Sequence, residues 1–152
     1  MGTNLMRAAV VVSAICWAAG VAQGGDPSWD AQPYSVPIPT HISSINQVPV
    51  EASKDMTLSH DVACTIAVSG LASDAVLTSS GRTLTTAYKL TGNLSNPDGA
   101  WVASATFIGR TYPVGTGPNS TITLSVQATP PSNQAPGAGT YTAKITLTAS
   151  WP

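Results

Sequence analysis

Alternation with a period of two residues constrains this chain more than any other feature. In the last fourteen residues Tyr141, Ala143, Ile145, Leu147, Ala149 and Trp151 fall on one side, and Thr142, Lys144, Thr146, Thr148 and Ser150 on the other. Successive side chains of a strand point to opposite faces, so this segment reads as a strand with one face in a core. The same pattern recurs in Tyr34, Val36, Ile38, Thr40 and Ile42, in Leu84, Thr86, Tyr88 and Leu90, and in Ile122, Leu124, Val126 and Ala128. Met56, Leu58, His60, Val62, Cys64, Ile66 and Val68 read as one face of a single long strand. Trp101, Ala103, Ala105 and Phe107 read as another strand, and Ala75 to Thr78 as a short one. Helical periodicity is almost absent.

Turn chemistry separates these runs. Ser79-Ser80-Gly81 and Asn96-Pro97-Asp98-Gly99 are turn signals, and residues 109–119 and 129–139, rich in Gly and Pro, read as loops. Residues 26–34 are polar, contain Pro27 and Pro33, and read as a loose N-terminal arm. Six to seven strands spaced roughly ten residues apart indicate an all-β chain with an immunoglobulin-like sandwich, its two sheets burying the alternating faces against each other. The chain lacks the Cys…Trp…Cys spacing of antibody domains.

Composition narrows the function classes. Charged residues make up 9% of the 152, against ~25% in an ordinary globular chain, and the net charge is −1. That excludes binding to nucleic acid through a basic stripe. A hydrophobic content of 43% argues against disorder. Ser and Thr supply roughly a quarter of the residues. Polar, uncharged and β-branched is the composition of an exported all-β protein.

Residues 1–24 read as a secretory signal peptide. Arg7 supplies the positive start, residues 8–12 and 14–19 an apolar stretch, and Ala22-Gln23-Gly24 a small-x-small cleavage pattern. The stretch is too short for a stable membrane span. Its removal leaves residues 25–46 as an N-terminal arm and 47–152 as the folded domain. Cys64 is then the one remaining thiol, expected in the core, with no basic neighbour to make it reactive.

Catalytic constellations are missing. His41 and His60 are far apart, the acids are scattered, and neither a phosphate-cradling Gly loop nor a nucleophile elbow occurs. His60 reads as a partly buried, hydrogen-bonded residue. Asn93-Leu94-Ser95 and Asn119-Ser120-Thr121 match glycosylation sequons but sit in turns, where Asn and Ser belong anyway. The expectation is a protein that is not an enzyme and takes no metal or cofactor.

The C-terminal segment, with Gly139 fourteenth from the end, alternating apolar residues and the penultimate Trp151, resembles the terminal strand of pilins assembled by the chaperone–usher pathway. Residues 124–128 and 135–141 also look like the end of colonisation-factor (alpha-type) major pilins. The resemblance implies a sandwich lacking one strand, completed by a donor strand from a neighbouring subunit. It implies an acceptor and chaperone-binding last strand of Gly139, Tyr141, Ala143, Ile145, Leu147, Ala149 and Trp151. It implies a donor strand of Tyr34, Val36, Ile38, Thr40 and Ile42. Because Pro37 and Pro39 remove two backbone donors, either that insertion is paired on one side only or the donor lies nearby, within residues 42–50. The implied partners are other copies of the chain, a periplasmic chaperone, an outer-membrane usher and a host-surface receptor, and the implied location is a cell-surface fimbrium. The alternative is a secreted monomeric immunoglobulin-like adhesin or glycan-binding module.

Overall fold

The computed structural model describes residues 5–16, 26–42, 48–130 and 139–151, of which 5–16, 39–42 and 139 are described by their backbone. The elements in chain order begin with β1 (Leu5–Cys16), β2 (Ser28–Trp29), β3 (Tyr34–Ile42), β4 (Val50–Ser59) and β5 (Cys64–Ser69). Then come β6 (Thr78–Ser79), β7 (Arg82–Thr83), β8 (Thr85–Gly92), β9 (Val102–Ala103) and the single helical turn α1 (Ser104–Phe107). The chain ends with β10 (Thr111–Val114), β11 (Asn119–Thr129) and β12 (Gly139–Ser150).

These strands form the all-β sandwich expected. One sheet runs β10-β5-β12-β1-β3, with β6 and β7 attached beside β12. The other runs β2-β4-β11-β8-β9. Alternation does the sorting: Tyr141, Ala143, Ile145, Leu147 and Ala149 of β12 are buried, as are Ile122, Leu124, Val126 and Ala128 of β11 and Leu84, Thr86, Tyr88 and Leu90 in and before β8. Burial of each large apolar side chain contributes about 1.5–3 kcal/mol, offset by the entropy of ordering it.

Four local readings are corrected. The long strand through Met56 and Val68 is two strands, β4 in one sheet and β5 in the other. The chain crosses between the sheets at His60–Ala63, where His60 N–H donates to the Pro118 carbonyl at 3.2 Å. Val62 is left 41% exposed rather than sharing the buried face. The strand expected through Trp101 and Phe107 stops at Ala103 and becomes α1. An i, i+3 pair, Ser104 and Phe107, then faces inward, and the Phe107 ring stacks on Tyr88 with centroids 5.0 Å apart.

The loop expected over 109–119 contains β10, which pairs with β5. β10 is an edge strand, the place where Pro113 can sit without costing a ladder bond. The loose arm over 26–34 contains β2, paired to β4, with Trp29 buried edge-on to Tyr34 at 6.4 Å. The turn at Ser80-Gly81 is as expected, with φ of 47° and 77°. The loop expected at 129–139 lies mostly outside the described residues.

Candidate functional site

The first sheet holds an unusual strand. β1, the segment read from the sequence as a leader, lies between β12 and β3. It runs parallel to β12, with Met6 opposite Gly139 and Cys16 opposite Ala149. It runs antiparallel to β3, with Val12 opposite Tyr34, Val10 opposite Val36 and Ala8 opposite Ile38. Every other pairing among the described strands is antiparallel. A parallel pair needs a long connection, and here the two strands come from opposite ends of the chain, which removes that constraint.

The space that β1 fills is a slot one strand wide. Its walls are the ladder edges of β12 and β3, about 9.6 Å apart at two strand spacings. The far side of β12 is already occupied: Thr146–Ser150 pair with β5, Thr142 pairs with Thr78, and Lys144 N–H donates to the Asp74 carbonyl at 2.7 Å. β3 has no ladder partner other than β1 among the described strands. The prolines of β3 fit this edge position. Arg7 stands opposite the irregularity between Ile38 and His41, where Pro39 and Thr40 on β3 face one residue of β1, a bulge that leaves the ladder unpaired.

The residues expected to form a last-strand acceptor are gathered here. Tyr141, Ala143, Ile145, Leu147 and Ala149 line the core face of β12, Gly139 opens the strand, and Trp151 lies half-buried just past its end. The indole N–H groups of Trp29 and Trp151 are buried with no hydrogen-bond partner among the described residues. The residues expected to donate sit in this chain's own sheet. Tyr34, Val36 and Ile38 are buried in its core, and Thr40 and Ile42 continue β3 along the slot.

β1 itself is what sequence reasoning missed. Residues 8–12 form a continuous apolar run, which leaves no period-two alternation to mark a strand. A signal-peptide core has the same composition.

Other polar features are structural. His60 is buried, its Nδ1–H donating to the Val62 carbonyl at 3.0 Å and its Nε2 2.8 Å from the Ser120 hydroxyl. The sequon asparagines brace the fold: Asn93 Oδ1 accepts from Thr121 N–H at 3.0 Å, and Asn119 Oδ1 accepts from the Ser59 hydroxyl at 2.8 Å. Cys64 is buried, as expected. Among the described residues no cluster of three or more His, Cys, Asp and Glu could hold a metal ion. An open hollow of about 550 Å³ lies beside β12, lined by Pro33, Ser73, Asp74, Thr78, Thr142 and Lys144 among others.

No family model and no curated protein matches the chain. Among solved structures the chain is similar to the CupB6 tip adhesin from Pseudomonas aeruginosa, at 14% identity and a TM-score of 0.32. That alignment covers 98% of this chain and 41% of the adhesin, so the chain spans less than half of the adhesin's length. A likeness at that level bears on no residue of the slot.

Proposed function

We propose that this chain is a structural subunit of an exported surface pilus that mediates adhesion and polymerises when a strand of one subunit completes the sandwich of the next. The observation that carries this reading is the slot between β12 and β3, filled by a segment with the features of a removable leader. Once residues 1–24 are cleaved, the core-lining strand β12 has an open edge and β3 has no ladder partner. An open apolar edge is a template for pairing with another chain. Filling it from a second copy, head to tail, is a heterologous contact that does not close, and such contacts build filaments. Segment 34–42 is the donor candidate, since cleavage frees its backbone. A periplasmic chaperone and an outer-membrane usher would cover and deliver the open edge, and a host-surface receptor would be the fibre's target.

The test is a cysteine pair at two exposed positions, Ser35→Cys with Lys144→Cys. Val11 of β1 pairs with both Ser35 and Lys144, which places those two about 9.6 Å apart while β1 lies between them. A disulfide needs Cα atoms roughly 4.4–6.8 Å apart. In the cleaved chain, a neighbour's segment 34–42 paired directly with β12 brings the two within range. Non-reducing electrophoresis then gives a ladder of cross-linked chains. A cystine confined to monomers means that β3 has closed onto its own β12. That result favours the second reading, a monomeric adhesin or glycan-binding module, for which the polar hollow at Asp74, Thr142 and Lys144 is the candidate contact site.

A further inference from the structure

The slot already has an occupant within the chain. β1 is paired to β12 at eleven consecutive positions without a register break, and to β3 on its other side. We propose that the slot is a binding site for an extended apolar strand and that Leu5–Cys16 is its first ligand. In the uncleaved chain this segment plugs the site, ties β3 to the sheet and keeps the subunit from joining others until residues 1–24 are removed. The plug stands on the strand pairing alone. Assembly after its removal rests on the fibre-subunit reading.

Three features of the pairing support a plug. First, the register sets Ala8, Val10, Val12, Ala14 and Cys16 level with Tyr141, Ala143, Ile145, Leu147 and Ala149, the buried row of β12. The uncharged run of β1 is thus in register with the core-facing row of β12.

Second, the run from Ala8 to Cys16 carries no charge, and the one charged residue of the leader, Arg7, stands at the bulge opposite Pro39 and Thr40, where the ladder is already broken. Export and plugging therefore ask for the same residues: an uncharged apolar run after a single cation.

Third, the plug is replaceable. A parallel ladder is slightly less stable per residue than an antiparallel one. Because β3 runs antiparallel to β12, any strand in the slot is parallel to one wall, and a newcomer antiparallel to β12 moves that weaker ladder from the eleven pairs with β12 to the shorter edge of β3, where β1 makes seven.

The experiment uses the full chain with a protease site placed between Gly24 and Gly25, carrying Val11→Cys and Lys144→Cys. These positions are directly paired, so oxidation is expected to lock β1 to β12. The uncut chain should be monomeric. After cutting, the locked chain should stay monomeric, and reductant should release the plug and start assembly, read as loss of the monomer peak. Release should also move Trp29 emission to longer wavelength, because Trp29 packs against Tyr34 of β3. An uncut Val10→Asp, Val12→Asp chain, whose plug cannot seat, should assemble without cutting.

Failure of the 11–144 cystine to form overturns the plug. So does assembly of the locked, cut chain at the rate of the unlocked one, which leaves the fibre-subunit reading standing. If the locked chain releases on reduction, with the Trp29 shift, yet stays monomeric, the plug holds and the fibre-subunit reading falls.

Discussion

Asp98 belongs to the turn signal Asn-Pro-Asp-Gly, yet it is buried and its carboxylate ties three segments together. Oδ2 accepts from the Leu90 backbone N–H at 2.9 Å and from the Tyr112 hydroxyl at 2.8 Å, and Oδ1 pairs with Arg110 at 3.1 Å. Asp98 N–H donates to the Leu90 carbonyl at 2.9 Å, so the turn is pinned to β8 from both directions. Asp98→Ala leaves the Leu90 N–H and the Tyr112 hydroxyl buried without partners, each costing about 1–3 kcal/mol, and the expected loss is on the order of 3 kcal/mol. Arg110→Ala should cost about 1 kcal/mol or less, because its side chain is 41% exposed and the pair is screened. Urea midpoints of the two variants check this, and equal losses would mean that the ion pair, not the buried hydrogen bonds, holds the turn. Burial also raises the hydroxyls of Tyr88 and Tyr112 well above the ordinary tyrosine value of 10, helped at Tyr112 by its hydrogen bond to Asp98. Above that pH the unfolded chain loses these protons while the folded chain keeps them. Stability is therefore full below about pH 10 and falls as pH rises further. Urea midpoints between about pH 9 and 11 should decline, and Tyr112→Phe should make the decline shallower.

At the scale of elements, β12 carries the sharpest expectation. Ile145 and Leu147 are fully buried on its core face, and Thr146 between them is half-buried on the other. Ile145→Asp or Leu147→Asp places an unpaired charge in the core, costing several kcal/mol, and should abolish recovery of soluble protein. Thr146→Asp should leave most of it, and three equal losses would refute the facing read from alternation. β8, β11 and β12 were legible because one face of each is buried and the other is not, so period two survives in the sequence. β4 and β5 merged because the crossing between sheets, His60–Ala63, keeps an apolar residue, Val62, in phase although it is exposed. α1 was hidden because Trp101, Ala103, Ala105 and Phe107 alternate in sequence, while the core takes Phe107 with Ser104 instead. β10 was hidden because Pro113 and the flanking glycines give it the composition of a loop, which an edge strand tolerates. The core-facing row of β12 could be read from the spacing of Tyr141 to Ala149. The strand β1 beside it could not, because the continuous apolar run of residues 8–12 shows no period-two alternation and has the composition of an export signal.

For the whole molecule, the proposed function turns on what would fill the slot if residues 1–24 were removed. Direction matters here. β12 ends beside the slot at Ser150, so a strand appended after it through a short turn returns antiparallel along β12, as in a hairpin. A strand entering parallel to β12, as β1 does, needs a connection of a dozen residues or more to reach the far end first. A second copy of residues 34–50 joined to the C-terminus by a short Gly/Ser linker should therefore fill the slot of its own chain. The linker holds the strand at roughly millimolar local concentration, enough to exclude a neighbour's segment. Tyr34, Val36, Ile38 and Ile42 of the added copy carry the apolar row, and each buried side chain contributes about 1.5–3 kcal/mol if fully covered. The fused, cleaved chain should be monomeric by sedimentation and melt well above the unfused one. If the unfused cleaved chain is already a monomer with the melting temperature of the fusion, β3 has closed against β12, the sandwich is complete without a partner, and the protein works as a single-domain binding module.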